Sequence, residues 1–250
     1  MNSKPLNCKS YGHIPHLPGS RMGPSDHKIH EGQASIATVQ PRKGDVVTVT
    51  EKLDGSCCSV ACVDNQIVAL GRAGYLAQSS QFEQHQLFAH WVRQNEGRFE
   101  CLRLNPDMRM VGEWLAQAHG TRYKLKHEPF VPFDLIDNRT NTRRTYDTFL
   151  RYARSTEFTT PHLIFEWKTT HHTDGCSTTP GVARLSIESV MKTLGDYGFH
   201  GALETPEGAV WRVEHDGVFD FMTKFVRPDK QDGKYLSRVS GEPDVWNWKP

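Results

Sequence analysis

Long apolar runs are absent from this sequence of 250 residues, of which 37% are hydrophobic. No stretch approaches the ~18 consecutive apolar residues that a membrane-spanning helix needs, and the start of the chain contains no apolar signal core. These absences argue against a membrane protein and predict a location in the cytoplasm. The chain is long enough to bury one large core, or two smaller ones, without covalent crosslinks.

Cysteine is scarce, and neither sign of charge is in excess. The six cysteines match neither a zinc-binding spacing nor a dense disulfide framework, so we expect reduced thiols with structural roles. The 30 Lys and Arg residues nearly cancel the 29 Asp and Glu residues, so a nucleic-acid partner would need a local basic face. The pairs His27/His30 and His171/His172 lack a third ligand at a metal-binding interval, which argues against a structural metal. No P-loop and no Gly-x-Ser-x-Gly nucleophile elbow is present.

The order of the apolar patterns predicts an α+β fold in which antiparallel strands outnumber helices. Alternating apolar residues predict strands over 46–50, 57–63, 66–70, 108–115 and 130–136, and again within 208–225. Helical spacing predicts helices over 81–94, 146–154 and 187–197. The turn sequences Asp64-Asn65 and Asp216-Gly217 predict two hairpins. Residues 1–44 are rich in Gly, Pro, His and Ser and are predicted to be mostly loop.

A short polar motif follows the first predicted strand and reads Glu51-Lys52-Leu53-Asp54-Gly55-Ser56. A lysine attacks an electrophile only as the free amine, and its ordinary pKa of about 10.4 keeps it protonated at neutral pH. Burial between two strands or a nearby cation would lower that pKa. The glycine permits a tight turn and a close approach of phosphate to the backbone. The alternative is an ordinary Asp-Gly hairpin turn with a solvated lysine.

Five further motifs follow in order, namely Gly71-Arg72-Ala73-Gly74, Gly112-Glu113-Trp114-Leu115, Phe130-Val131-Pro132-Phe133-Asp134-Leu135, Glu207-Gly208-Ala209-Val210-Trp211 and Thr223-Lys224-Phe225-Val226-Arg227. Taken together with the Lys52 motif, the series resembles the covalent nucleotidyltransferase superfamily of nucleic-acid ligases and capping enzymes. The resemblance is closest to the ATP-dependent RNA ligases and runs from about residue 52 to residue 227. It implies a nucleotidyltransferase (ATP-grasp-like) fold of antiparallel sheets flanked by helices.

The resemblance also implies which residues bind the nucleotide. Lys52 would attack the α-phosphorus of ATP to form a lysyl-AMP, with Glu51 and Leu53 beside it in the nucleotide site. Arg72 matches the arginine of the ribose and 5'-phosphate region. Phe133 matches the aromatic residue that stacks on adenine. Spacing alone instead favours a core phenylalanine in a hydrophobic strand at position 133.

Two carboxylates and a second lysine complete the implied catalytic set. Glu113 matches the acid that holds the ribose hydroxyls and is a candidate metal ligand; the alternative is a surface carboxylate at a strand end. Glu207 matches the carboxylate that organises a divalent cation, Mg²⁺ or Mn²⁺. Lys224 matches the lysine that contacts the α-phosphate.

Two arginines extend the implied nucleotide site. Where many relatives carry a second lysine, this chain has Val226, with Arg227 one position further. Strand alternation places Arg227 on the opposite face from that lysine unless the backbone bulges. Arg21 ends the run 16–21, which resembles a segment bordering the nucleotide in some RNA ligases, and either faces a phosphate or caps a loop.

The resemblance implies an enzyme that joins RNA 3'-hydroxyl and 5'-phosphate ends, with a nicked duplex as one candidate substrate. DNA ligases and capping enzymes carry a further small barrel, and the 23 residues after Arg227 are too few for one. We therefore expect no C-terminal OB barrel and consider an accessory RNA-binding partner. The predicted division is a loop-rich extension packed on the core (1–44), an adenylyltransferase domain (45–230) and a short tail (231–250). The alternatives are a capping-like guanylyltransferase and a non-catalytic nucleotide- or RNA-binding relative.

Two further features of the sequence carry hypotheses. The stretch 139–154 contains five arginines, which would suit an RNA backbone or form a solvated helix face. The pair Cys57-Cys58 beside Lys52 predicts sensitivity to thiol reagents.

Overall fold

The computed structural model describes residues 4–168 and 182–249, so Cys176 and the pair His171/His172 lie outside the described residues. The described strands are β1 (Asp45–Lys52), β2 (Ser56–Val63), β3 (Gln66–Gly71), β4 (Met108–Trp114), β5 (Phe130–Asp137), β6 (Leu163–Lys168), β7 (Gly208–His215) and β8 (Val218–Val226). The described α-helices are α1 (Glu31–Thr38), α2 (Glu83–Gln94), α3 (Glu100–Leu104), α4 (Tyr146–Thr156), α5 (Ile187–Leu194) and α6 (Ser237–Ser240). Short 3-10 helices cover Ala77–Ser79, Glu96–Phe99 and Val182–Leu185.

The strands form two four-stranded sheets, which confirms the predicted α+β class. Sheet 1 has the strand order β6-β1-β7-β8, and sheet 2 has the order β3-β2-β4-β5. Neighbouring strands pair antiparallel in both sheets. Strands β1 and β2 follow each other in the chain but belong to different sheets, so residues 53–55 cross from one sheet to the other.

Each sheet packs against helices and contributes to its own hydrophobic cluster. Phe88 and Trp91 lie three residues apart on α2, which places them on one face of the helix, and both rings contact Trp114 of β4. In sheet 1, Trp211 of β7 packs with residues of α1 and α5. Large buried aromatic groups of this kind dominate the energy of a core. No helix in the described ranges combines the length and the apolar character needed to span a membrane.

The strands and helices predicted from the sequence are all present, with ends shifted by a few residues. Both predicted hairpins form, and Asp64, Asn65 and Asp216 adopt the left-handed conformation (φ 48°, 63° and 48°) that such two-residue turns require. The sequence patterns do not predict α1, α3, β6 and α6. These elements are short, at 8, 5, 6 and 4 residues, so their periodicity is too brief to read.

Both ends of the described chain pack against the sheets. Residues 15–17 run beside β8, where the N–H of Lys224 donates to the carbonyl oxygen of Pro15 at 3.0 Å. At the other end, the ring of Trp248 packs edge-on against Trp114, with 5.7 Å between the ring centres. After β8 the described residues contain α6 and no further strand. The C-terminal segment is therefore held on sheet 2 by aromatic packing.

Candidate active site

A cleft of about 840 Å³ is lined by residues of both sheets. Sheet 1 contributes the end of β1 together with β7 and β8, and sheet 2 contributes β2, β4 and β5. The crossing segment 53–55 lies between them, so the Lys52 motif is at the junction of the two sheets. A cleft of this size is in the range that binds small molecules and nucleotides.

The Lys52 motif is not a hairpin turn, because the strands on its two sides pair with different partners. Lys52 lies opposite Gly208 of β7, whereas Ser56 lies opposite Trp114 of β4. A side chain at Gly55 would collide with the carbonyl oxygen of Trp114. The glycine therefore permits the close approach of β4 that the crossing between sheets requires.

The Lys52 ammonium lies 2.6 Å from Oε2 of Glu207 and its side chain is 21% exposed. Burial alone would lower the pKa of Lys52, but the nearby carboxylates of Glu207 and Glu113 outweigh burial and raise it above its ordinary value. Burial thus acts in the expected direction, but the net pKa of Lys52 is raised rather than lowered in this state of the protein. Lys52 is a charged, hydrogen-bonded ammonium here, and it must lose a proton before it can act as a nucleophile.

Glu113 and Glu207 place a half-buried and a buried carboxylate next to Lys52. Burial raises the pKa of Glu113 to about 7, and the charge of Glu207 adds to this effect. Oε1 of Glu113 accepts a hydrogen bond from the N–H of Gly55 at 2.9 Å. Burial also raises the pKa of Glu207, with the charge of Asp54 acting in the same direction. The positive charge of Lys52 is therefore too small to offset the increase in pKa that burial causes at the two carboxyl groups.

A divalent cation fits this pair of carboxylates. Among the described residues no group of three or more His, Cys, Asp or Glu side chains comes together as a metal site. Mg²⁺ does not require such a cage, because it retains several waters and is commonly bound by one or two carboxylates together with substrate phosphates. The raised pKa values of Glu113 and Glu207 show that added positive charge would be favourable there.

Lys224 also lines the cleft, and the N-terminal segment fixes its strand. Its ammonium is 3.9 Å from Oδ1 of Asp26. Burial lowers the pKa of Lys224, and the charge of Lys52 lowers it further. The two lysines therefore act on each other across the cleft, which favours an anion between them.

Phe133 and Arg72 line the same cleft, where Tyr11 connects them. The rings of Tyr11 and Phe133 meet edge to face, with 5.3 Å between their centres. The N–H of Tyr11 donates to the carbonyl oxygen of Arg72 at 3.3 Å, and the Arg72 guanidinium donates to the carbonyl oxygen of Gly12 at 3.1 Å. The sequence did not identify Tyr11, because it lies in a segment without regular periodicity.

Glu51 and Leu53 border the cleft but direct their side chains into the protein. Oε2 of Glu51 accepts a hydrogen bond from the N–H of Phe199 at 2.9 Å, whereas its other oxygen is buried without a partner among the described residues. Burial raises the pKa of Glu51 to about 7. Leu53 packs in a small apolar cluster with Tyr123 and Leu115. These contacts follow from strand alternation, which turns the neighbours of Lys52 to the opposite side.

The structure does not bring Arg21 and Arg227 to the cleft lining. Arg21 forms an ion pair with Asp232, and Arg227 donates to Asp229 at 2.6 Å. The register shift between β7 and β8 lies near their hairpin, far from Arg227. Alternation therefore holds at this end of β8, and Arg227 does not join Lys224 as a second cation facing the cleft.

A buried ion pair that the sequence did not reveal holds the aspartate of the motif. Lys230 is fully buried, forms an ion pair with Asp54 and donates to Oγ1 of Thr121 at 2.6 Å. The N–H of Gly120 also donates to Asp54 at 2.8 Å. Burial alone would raise the pKa of Asp54, but Lys230 outweighs it and the pKa lies below its ordinary value. A lone lysine after β8 gives no sequence signal for this contact across 176 positions.

The arginines of 139–154 are largely neutralised by carboxylates within the protein. Four ion pairs account for this, namely Arg139 with Asp107, Arg143 with Asp134, Arg144 with Asp137 and Arg151 with Asp147. The Arg143 pair is internal, since Asp134 is fully buried. Arg139 and Arg151 stay 77% and 66% exposed in their pairs, so the stretch combines an internal arginine with solvent-exposed ones, and contact with an RNA backbone remains a prediction.

Comparisons with known proteins support one family. The RNA ligase family model matches residues 45–226, which include every motif from Lys52 to Lys224. No curated protein sequence matches the chain significantly.

Solved structures share the fold at low sequence identity. An archaeal ATP-dependent RNA ligase is 17% identical with a TM-score of 0.54, covering 86% of this chain and 48% of that one. The Naegleria gruberi RNA ligase with PPi is 19% identical with a TM-score of 0.55, covering 91% and 62%. A variant of the Naegleria ligase with ATP and Mn is 20% identical with a TM-score of 0.52, covering 87% and 60%. This chain thus spans about half to three-fifths of the length of these proteins.

Proposed function

The chain belongs to the RNA ligase family, and from this premise we propose that it is an ATP-dependent RNA ligase that acts through a lysyl-AMP intermediate. The observation that carries the proposal is the position of Lys52. Its ammonium lies in the cleft between two sheets, 2.6 Å from Glu207. A binding protein has no physical need for a lysine held in this way beside a proton acceptor.

In the first step, the amine of Lys52 attacks the α-phosphorus of ATP. A nitrogen–phosphorus bond forms, the bond to the bridging oxygen breaks, and pyrophosphate leaves. The proton of the ammonium must leave first, and Oε2 of Glu207 at 2.6 Å is within reach to accept it. Because burial raises the pKa of Glu207, its carboxylate is a stronger base than an exposed glutamate.

The other cleft residues have roles in binding and charge stabilisation. Lys224 contributes a cation toward the α-phosphate, where negative charge develops during attack. Phe133 offers the face of its ring to the adenine, braced by Tyr11. Arg72 lies at the open edge of the cleft, where a planar donor can meet the ribose or phosphate region.

Glu113 and Glu207 would hold a divalent cation, which supplies positive charge to the α-phosphate and to the buried carboxylates. The Naegleria relative solved with ATP and Mn supports this cofactor class without distinguishing Mg²⁺ from Mn²⁺. The hydrogen bond from Gly55 holds Glu113 whether this carboxylate contacts the cation or the ribose hydroxyls, so its position is fixed before substrate binds.

Two further steps complete the proposed reaction. The AMP passes from Lys52 to the 5'-phosphate of an RNA strand, and a 3'-hydroxyl then attacks that phosphorus and releases AMP. Each step takes place at a phosphorus in the same cleft, so one set of cations serves all of them. A nicked duplex is a candidate substrate, and an accessory RNA-binding partner is compatible with the neutralised arginines of 139–154.

The intact mass of the purified protein after incubation with ATP and Mg²⁺ tests the proposal. Pyrophosphate is used beforehand to remove any AMP already bound. We expect an AMP adduct in the wild type and in Lys43→Ala, a control at an exposed lysine, and no adduct in Lys52→Ala. Addition of 5'-phosphorylated RNA should remove the adduct and yield adenylylated RNA.

Two results would contradict the proposal. A GMP adduct from GTP in place of the AMP adduct would indicate a capping-like guanylyltransferase. The absence of any adduct from folded protein would leave a nucleotide- or RNA-binding relative.

A further inference from the structure

The cleft extends beyond the residues that the proposed adenylylation uses. One end is lined by Tyr11, Arg72 and Phe133. A second end, here called the distal end, is lined by Leu76, Ser80, Phe82, His85, His119 and Arg238. The C-terminal segment contributes to the distal end through α6. None of these residues belongs to the motifs that carry the family resemblance.

The distal end begins beside the Lys52 motif. The hydroxyl of Ser56, the last residue of that motif, donates to Oε1 of Gln84 at 2.8 Å. The same oxygen lies 3.0 Å from Nε2 of His119. A group bound against His119 would therefore be close to the lysine that carries the nucleotide.

Phe82 and Arg238 form an exposed stacking platform at the distal end. Phe82 is 37% exposed, which is unusual for a large aromatic residue next to a cleft. The guanidinium of Arg238 lies over this ring, with its central carbon 5.3 Å from the ring centre. An aromatic face combined with an arginine is the arrangement that binds unpaired bases in single-stranded nucleic acids.

Two neutral histidines lie next to the platform. Nδ1 of His85 lies 2.9 Å from the Ser80 hydroxyl, and His119 uses Nε2 to contact Gln84. Burial lowers the pKa of both rings. The second nitrogen of each ring has no protein partner in the described part of the chain. A neutral imidazole nitrogen can donate or accept a hydrogen bond according to its tautomer, which suits the edge of a base.

We propose that the distal end binds the terminal nucleotide of an RNA substrate, with its base stacked on Phe82 and Arg238 and its edge near His85 and His119. This inference rests on the proposed ligase function, because it places the RNA end beside the nucleotide carried by Lys52. A protein partner is a poorer match, since the platform is the size of one flat ring and lies inside the cleft.

The variants Phe82→Leu and Arg238→Gln test the inference in three assays. The first is formation of the lysyl-AMP adduct, and the second is transfer of AMP to a 5'-phosphorylated RNA oligonucleotide. The third is joining of a pre-adenylylated strand to an acceptor with a 3'-hydroxyl. We expect unchanged adduct formation and a KM for RNA that rises about 5- to 150-fold, which corresponds to the loss of one base–aromatic stacking contact.

The controls separate loss of stacking from loss of folding. Phe82→Trp retains an aromatic face and should restore RNA use, whereas Tyr197→Ala and Arg93→Gln alter exposed residues outside the cleft and should have no effect. Arg238 is exposed, so its variant serves if Phe82→Leu fails to fold. A defect in the second assay assigns the site to the 5'-phosphate end, and a defect in the third alone assigns it to the 3'-hydroxyl end.

Two outcomes would overturn the inference. Normal RNA use by both variants would remove the platform from the RNA site, and slower adduct formation would assign these residues to ATP instead. Binding of the fluorescently labelled RNA oligonucleotide without ATP is measured in parallel. If the wild type forms no adduct, the proposed function fails. The RNA-binding measurement then tests the distal end by itself: weaker binding by the variants than by the wild type supports the site, and equal binding rejects it.

Discussion

Two clusters of charged side chains lie between the sheets, one around Asp134 and one around Lys52, and they differ in how their charges are balanced. The first cluster, here called the junction network, links β5 of sheet 2 to β7 of sheet 1. In it, Asp134 accepts hydrogen bonds from Arg143 at 2.8 Å and from Arg212 at 3.0 Å, and Arg212 also donates to Glu214 at 2.7 Å. In the cleft cluster, Lys52 is shared by Glu207 and Glu113. In the described part of the chain, Glu207 is the carboxylate that forms a direct ion pair with it.

The difference indicates what each cluster does. Charges in the junction network are matched within the protein, so the network connects β5, β7 and the segment before α4 without needing a ligand. The cleft cluster holds more buried carboxylate than its ammonium can neutralise, and the raised pKa values of Glu113 and Glu207 record that imbalance. Balanced charge supports structure here, whereas the unbalanced charge of the cleft is what the proposed function would use to bind a cation and a nucleotide.

Removing the shared cation of the junction network should produce the largest loss of stability. Arg212→Met leaves Asp134 and Glu214 buried with one fewer positive charge, and breaking a buried pair in this way typically costs about 3 to 5 kcal/mol. Urea unfolding monitored by tryptophan fluorescence measures the change. A loss below about 1 kcal/mol would show that the network is not a structural element and would end the comparison.

Removing a carboxylate from the cleft cluster should have the opposite sign at neutral pH. The pKa of Glu113 in the folded protein is about 7, above its ordinary value of 4.5, so folding favours the protonated form. Ionisation therefore destabilises the fold progressively from about pH 4.5 to pH 7, by about 3 kcal/mol in total. Glu113→Gln retains the acceptor for Gly55 and lacks the charge.

The unfolding free energies of Glu113→Gln and the wild type should agree near pH 4.5 and differ near pH 8, where the variant is the more stable. Lysyl-AMP formation should nevertheless be impaired in the variant. If the two unfolding free energies instead differ by the same amount at every pH in this range, the pKa of Glu113 is not raised by folding. The charges of the cleft cluster would then be as well balanced as those of the junction network.

The Asp54–Lys230 pair lies between the junction network and a surface ion pair in its degree of burial, because Lys230 is fully buried whereas the Asp54 side chain is 13% exposed. Lys230→Met should cost about 2 kcal/mol, since Asp54 keeps its hydrogen bond from Gly120. It should also slow lysyl-AMP formation, because the motif loses its anchor. The matched control is Lys234→Met, which breaks the more exposed pair with Glu204 and should cost less than about 1 kcal/mol. Equal losses in the two variants would contradict this ranking.

Much of this architecture could be predicted from the sequence because it rests on local patterns. Strand alternation and turn residues predicted both hairpins and most strands. Motifs at strand ends led to Lys52, Glu113 and Glu207, which the structure brings together. Each motif carries its own signal in a few adjacent residues, so none depends on a distant partner to be recognised.

The remaining features depend on contacts between distant segments. Lys230, Tyr11 and Arg238 lie near the two ends of the chain in segments without a readable periodic pattern. Only the folded structure brings Tyr11 and Arg238 to the cleft and Lys230 to Asp54. The sequence likewise could not show that Glu51 turns away from the site or that the arginines of 139–154 are paired with carboxylates. A charged residue has the same local pattern whether its partner is water, substrate or a distant side chain.

The smallest expected effect concerns Cys57, whose thiol is close enough to Glu113 for the negative charge of the cleft to change its pKa. Burial raises the pKa of Cys57, and the charge of Glu113 raises it further, so the thiol stays protonated and is a poor nucleophile. This argues against the thiol sensitivity predicted from the Cys57-Cys58 pair. Iodoacetamide should label Cys57 at least about tenfold more slowly in the folded protein than in urea, as followed by peptide mass. Glu113→Gln should speed that labelling modestly. Equally fast labelling of the folded and the unfolded wild type would show that the negative charge of the cleft does not affect this thiol.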